Sequence, residues 1–227
     1  MTITPSRLIS EDWVGESQRK SVAVSPRWKR SQSLELVYKL NEQCLELFGV
    51  LAADDACAIS PWLCGNRDLW AKLNDEGRAR AARMPFVILD LHFADQEWWH
   101  RDIDALTSAV HEPEFSNGLP PDLSARLVQE TLMFAWQMAR TDLTAAQVSF
   151  AMLPRVAEVV AGLMPSEVRY IAARSQGEIR VRWASNCNFW RALLLAATAA
   201  DQETLAELQL QAKLSVLGPL IRTRPHR

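Results

Sequence analysis

The chain of 227 residues (25.6 kDa) is long enough for one large domain or two small ones, each with room for a core. Its hydrophobic share of 48% and charged share of 23% are typical of a globular protein and exclude a disordered, collagen-like or disulfide-dense chain. The formal net charge of −2 argues against a simple polybasic nucleic-acid binder.

The sequence predicts neither a targeting signal at its N-terminus nor a membrane-spanning segment. The first 20 residues have no apolar stretch of the kind a secretory signal needs, and they mix acidic with basic residues. The longest uncharged apolar run, residues 192–200, is too short to cross a bilayer. The four cysteines form no CxxC pair and are predicted to be buried thiols of a reducing compartment: Cys44, Cys57, Cys64 and Cys187. We therefore expect a cytoplasmic protein.

The N-terminal segment, residues 1–30, carries a net charge of +3 and shows no helical periodicity. It is predicted to be a mobile basic tail. Trp28 in this segment is a candidate partner contact, and the alternative is that it packs across the first helix.

Residues 31–112 are predicted to form a first helical unit. Apolar residues at steps of three and four predict an amphipathic helix from Ser33, its N-cap, to about Asp54. A second helix is expected over 67–83, stopped before Pro85, and a third over 95–110, with an extended segment at 86–93 between them.

A stretch rich in Pro, Gly and Asn, residues 113–122, is predicted to be a linker. The unit that follows, residues 123–220, repeats the same order. Helices are expected over 124–140 and from about Thr144 to Arg174, then the extended segment EIRVRW (178–183), then helices over 186–200 and 202–217. Residues 221–227 form a basic C-terminal tail.

The shared order predicts two tandem repeats, at about 34–112 and 121–217. An offset of 87 aligns the first helices, for example Leu40 with Leu127, and an offset of 90 aligns the later parts, for example Phe93 with Trp183. The alternative is a chance match between two amphipathic patterns. The predicted fold class is all-α, with two tandem helical repeats that each contain one short extended segment.

The second repeat resembles FlhD, the D subunit of the bacterial flagellar transcriptional activator, over about 125–217. The family pattern has a Leu-rich helix ending in Asp, then Ala-x-Ala, Ala-x-x-Leu-Ala-x-Leu, Gln, Leu-Ala and Phe-Arg-Phe-Asp. The first repeat resembles it more faintly, over about 34–93, through Tyr38, Asn41 and Asp55. The matched positions of the second repeat are Asp142, Thr144, Ala146, Ala157, Val160, Ala161, Leu163, Glu167, Ile171, Ala172, Val181, Arg182, Trp183 and Ala184.

Three positions depart from the family pattern. Glu167 stands for its Gln, Ala184 for its closing acid, and Ile179 for the cysteine that can link two subunits. The last change removes that thiol from this chain.

The resemblance implies a subunit that pairs with itself and assembles with a zinc-bearing FlhC-type partner on promoter DNA, the zinc belonging to that partner. Two repeats in one chain would supply both halves of such a pair as an internal pseudo-dimer, and a homodimer of the whole chain is the other arrangement. The expected function is that of a transcriptional regulator subunit, an activator in flagellar regulation. The alternative is a helical adaptor or scaffold of a regulatory or secretion system that does not bind DNA.

The second unit is the candidate DNA-binding part, because residues 121–227 carry a net charge of +3 whereas residues 31–120 carry −8. Strand alternation in EIRVRW predicts that Arg180 and Arg182 lie on the same face, where they could contact DNA. The alternative is that these arginines belong to an ordinary solvated surface with no ligand. Trp98 and Trp99 project about 100° apart on a helix, so one of them is a candidate partner anchor. The candidate DNA contacts are Arg169, Arg174, Arg180, Arg182 and Arg191.

Support for enzymatic chemistry is thin. His92 and His100 lie near several acids, but their spacing does not bring them together, so a polar helix surface is the better interpretation than a metal site. Cys187 has no local histidine to act as its base. The sequence contains none of the usual phosphate-loop, dinucleotide, zinc-protease or serine-hydrolase motifs. We expect no enzyme, no cofactor and no bound metal.

Overall fold

The computed structural model describes residues 26–53, 60–100 and 119–222, which are mostly helical, as the all-α prediction requires. In chain order the elements are α1 Pro26–Ala53, α2 Pro61–Cys64, α3 Arg67–Trp70, α4 Asp75–Ala81, β1 Leu89–Asp90, α5 Gln96–His100, α6 Pro121–Thr141, α7 Leu143–Phe150, α8 Pro154–Gly162, α9 Pro165–Arg174, β2 Arg180–Val181, α10 Cys187–Ala199 and α11 Gln202–Arg222.

Several helices begin at proline, which shifts two predicted boundaries. Helix α1 begins at Pro26, so residues 26–30 of the expected tail are helical, and α6 begins at Pro121, inside the expected linker. Proline suits the first helical position because its φ is already helical and its missing N–H has no partner there in any case. Residues 1–25, 54–59, 101–118 and 223–227 lie outside the described part. With them lie most of the tails, most of the linker, the end of the third expected helix, Asp55 and Cys57.

The single helix expected over 67–83 is wrong. The chain leaves helical geometry after α3, and Asn74 caps a new helix, α4, by accepting a hydrogen bond from the Gly77 N–H at 2.8 Å. Asp75 and Glu76 then occupy the first turn of α4, where negative charge is favourable. The sequence therefore contained a start signal in the middle of the expected helix.

The two extended segments pair with each other. Strands β1 and β2 are antiparallel, with Leu89 opposite Val181 and Asp90 opposite Arg180. Each strand has only two residues, so most of the segments expected to be extended are turns. The pair joins the first half of the chain to the second.

The backbone after each strand follows the same path. His92 (φ 51°) and Trp183 (φ 57°) are left-handed, and their carbonyls accept from the N–H of Asp95 (2.8 Å) and Asn186 (2.7 Å). The side chains of Asp95 and Asn186 in turn cap α5 and α10. These equivalent residues are 91 positions apart, so the expected offset of 90 is wrong by one residue here.

Helices α1 and α6 bury equivalent positions at the expected offset of 87. The offset between matching residues grows from 87 to 91 in the part of the chain before β2. There α8 has nine residues against four in α3, and α9 has ten against seven in α4. The buried pairs are Val37 and Ser124, Leu40 and Leu127, Asn41 and Val128, Cys44 and Thr131, Leu45 and Leu132, Phe48 and Ala135, and Ala52 and Ala139.

The two halves pack crosswise. Helix α10 of the second half contacts α2, α3 and α4 of the first, and α5 of the first contacts α8 of the second. The Trp190 ring on α10 lies 4.9 Å from Trp62, 6.0 Å from Trp70 and 6.3 Å from Phe48, measured between ring centroids. The hydrophobic core is therefore continuous across the halves.

Asn41 fixes the segment that leads into β1. Its side chain is fully buried on α1, and its carbonyl oxygen accepts from the Ile88 N–H at 3.0 Å. Its amide donates to the carbonyls of Phe86 at 3.0 Å and Ala82 at 3.2 Å. Buried backbone groups need such partners, so one amide side chain satisfies a stretch that has no regular structure.

We predict that Asn41→Leu lowers the free energy of unfolding by about 3 kcal/mol, because it leaves several buried backbone groups unpaired. Urea unfolding followed by circular dichroism measures the change. The control Gln43→Ala alters an exposed residue of the same helix and should shift stability by less than about 0.5 kcal/mol. Equal midpoints for the two variants would show that the Asn41 hydrogen bonds contribute nothing.

Candidate functional site

The five candidate arginines differ in exposure and in the contacts they make. Arg169 on α9, Arg180 on β2 and Arg191 on α10 are exposed, and within the described residues no hydrogen bond or ion pair engages them. Arg174 is half-buried, with its guanidinium 5.9 Å from the centroid of the Tyr170 ring. Arg182 is buried.

The prediction that Arg182 is available to DNA is wrong. Its Nε donates to the Val87 carbonyl at 3.0 Å, and its Nη2 donates to the Phe150 carbonyl at 2.8 Å and to Asp90 Oδ1 at 3.0 Å. Burial lowers the pKa of the guanidinium, and the Asp90 carboxylate raises it part of the way back. The alternation that placed Arg182 beside Arg180 fails because β2 ends at Val181 and the chain turns at Trp183.

Trp98 and Trp99 are not exposed anchors, contrary to prediction. Their exposed fractions are 2% and 6%. Trp98 Nε1 donates to Glu178 Oε2 at 2.5 Å, and Trp99 Nε1 donates to the His92 carbonyl at 3.0 Å. Both indoles are therefore covered, and neither is available to a partner. Trp28 lies in α1, in a stretch whose side chains fall outside the described part.

His92 forms a polar contact between the two halves. Its Nε2 lies 3.3 Å from Glu178 Oε2, its Nδ1 lies 3.9 Å from Asp95 Oδ2, and its ring stacks on Trp98 at 5.2 Å. His100 is exposed, with Nδ1 2.8 Å from the Gln96 carbonyl oxygen. Among the residues the structure describes, no three His, Cys, Asp or Glu side chains gather to hold a metal ion.

The cysteines differ from one another. Cys44 is a buried free thiol whose pKa burial raises strongly, with a further contribution from the Glu130 charge, so it stays protonated. Cys187 is free and exposed at the start of α10. Cys64 is disulfide-bonded, which corrects the expectation of reduced thiols throughout and is a state that a reducing compartment does not favour.

Sequence reasoning missed an exposed apolar face on α11. Leu205, Leu208 and Ala212 are buried, but Leu210 and Leu214 on the same helix are 60% and 68% exposed. The signal was present in the spacing, since a helix that uses leucines on two sides has more apolar residues than one packing face needs. Leu210 and Leu214 are four residues apart and so lie next to each other on the helix, where they form a small exposed apolar patch.

No protein-family model, curated protein or solved structure matches the chain. Within the described ranges, none of the helices has by itself the length and apolar character to cross a membrane; α7 and α8 would pass that test only as a pair, bent by 117°.

We predict that Arg182→Met lowers the free energy of unfolding by about 2 kcal/mol, because it leaves the partly buried Asp90 carboxylate and the Val87 and Phe150 carbonyls without this donor. Thermal and urea unfolding measure the loss. Arg180→Met, two residues away and exposed, is the matched control and should change stability by less than about 0.5 kcal/mol. If the two variants are equally stable, Arg182 does not hold the halves together.

Proposed function

We propose that the chain is a non-enzymatic, FlhD-like subunit of a transcriptional regulator, which acts by assembling with a protein partner at promoter DNA. The observation that carries this proposal is the pairing of two halves with equivalent backbone paths at β1 and β2. A subunit that pairs with itself is what the FlhD resemblance implies. An internal pseudo-dimer would supply that pair from one chain, and an FlhC-type subunit is the proposed partner.

Contact with DNA in this proposal belongs to the second half. Arg169, Arg180 and Arg191 are exposed there without an acidic partner among the described residues, and an arginine fork suits phosphate oxygens. Residues 31–120 carry a net charge of −8 and would repel the phosphate backbone. The two halves would therefore face DNA unequally.

A second candidate is a helical adaptor or scaffold that binds proteins and not DNA. The exposed Leu210 and Leu214 favour it, because apolar side chains on the outer side of α11 gain from burial against another protein and not from phosphates. The withdrawal of Arg182 into the interior favours it as well, because one of the proposed DNA contacts is lost.

Affinity purification of the tagged chain from its host, at low and high salt, tests the proposal. We expect wild type to recover a protein partner together with promoter DNA, the DNA only at low salt because phosphate contacts weaken as counterions are added. Arg180→Glu combined with Arg191→Glu should lose the DNA and keep the partner, since charge reversal at two exposed positions leaves the core intact. Recovery of a partner without DNA at any salt would favour the adaptor.

The α11 face gives a separate prediction. Leu210→Ser combined with Leu214→Ser should reduce partner recovery at least about tenfold if these leucines are buried in the complex. The matched control is Val50→Ser on α1, a side chain 66% exposed on another helix, which should leave recovery unchanged. Equal recovery with all three proteins would remove α11 from the interface.

A further inference from the structure

The packed helices α6 and α9 leave a cleft between them. Its volume is about 170 Å³. The lining residues of each helix lie on one side of it, because they are three, four or seven positions apart along the chain. They are Ala125 and Gln129 from α6, Arg169, Ala172 and Ala173 from α9, and Gln176 two residues after α9.

The size of the cleft suits one side chain. Sites for small molecules usually enclose about 300–1,000 Å³, which is well above this volume. A single water occupies about 30 Å³ of the liquid, so the cleft is also much larger than a hole for one ordered water. It is shaped for a group of a few atoms that belongs to something larger.

The lining suits a carboxylate at the end of a short apolar stem. Arg169 offers a planar fork of N–H donors, and Gln129 carries an amide group that can donate beside it. The three alanines provide an apolar floor against which methylene groups can pack. This combination matches the side chain of Glu or Asp.

The charge around the cleft is also complementary to an acid. Two acids on its helices are engaged elsewhere. One oxygen of Glu130 accepts from Arg126 Nε at 2.9 Å, while its other oxygen is buried without a hydrogen-bond partner, and Glu167 accepts from the Met164 N–H at 2.6 Å. Arg169 makes no hydrogen bond or ion pair with any residue in the described ranges. Its charge is therefore not paired with any acid in the described part of the chain.

We propose that this cleft binds a Glu or Asp side chain from an acidic segment of the protein partner. The inference rests on the proposed function in one respect, that the chain assembles with a protein. It assigns Arg169 to that protein and away from DNA. A concave site that holds one group fits a single anchoring side chain better than a row of phosphates on a duplex.

Fluorescence anisotropy of the full chain tests the site, with a labelled glutamate-rich peptide and, separately, a duplex oligonucleotide as probes. Arg169→Gln and Ala173→Leu should each weaken peptide binding at least about tenfold, the first by removing the charged fork and the second by filling the cleft. Arg155→Gln, an exposed arginine on α8 outside the cleft, is the charge control and should stay within about twofold. Ala173 is exposed, so leucine should be tolerated, and circular dichroism checks folding.

Three results would overturn the inference. The peptide fails to bind wild type, or Arg155→Gln weakens it as much as Arg169→Gln while Ala173→Leu binds normally, or the cleft variants lose the duplex and keep the peptide. Failure of the proposed function looks different. If the wild-type chain recovers a partner from its host and both cleft variants recover it equally, assembly stands and the cleft inference fails; if wild type recovers no partner at all, assembly itself fails.

Discussion

The fold depends on an aromatic core that neither half of the chain can close alone. The rings of Phe48, Trp62 and Trp70 come from the first half, and Trp190 from the second lies against all three. Because buried aromatic surface is the largest hydrophobic contribution such side chains can make, separating the halves would expose the most costly part of the core. The halves are therefore expected to fold as one cooperative unit and not as two independent domains joined by a linker.

The shared core also buries backbone N–H and carbonyl groups, and polar side chains supply hydrogen bonds to them. The segments that join the halves are mostly turns, so their buried carbonyls and N–H groups have few backbone partners. Asn41 serves the segment before β1, and Arg182 serves the carbonyls of Val87 and Phe150. An arginine that looks like a surface charge in the sequence is thus part of the interior, held there by Asp90 and by the backbone.

The sequence predicts those features of the fold that depend on the local spacing of apolar residues. The helical class, the helices α6, α10 and α11, and the burial pattern shared by α1 and α6 follow from apolar spacing. It does not predict contacts between distant segments. The alternation of EIRVRW gave no sign that β2 stops at Val181, and the offset of 90 missed the extra residue because a one-residue shift barely changes an apolar match. The burial of Arg182 depends on Phe150 and Val87, more than thirty residues away, so no local signal could have found it.

The backbone follows the same path after β1 and after β2, so differences between the two halves at matching positions are informative. Asn41 and Val128 occupy equivalent buried positions, as do Trp98 and Phe189, yet only the first-half member of each pair forms side-chain hydrogen bonds. The net charge differs as well, −8 over residues 31–120 against +3 over 121–227. Two identical subunits must present the same surface twice, because a two-fold axis repeats every residue. A single chain with two halves is free of that constraint, so one half can keep its charge for a partner or DNA while the other repels phosphate.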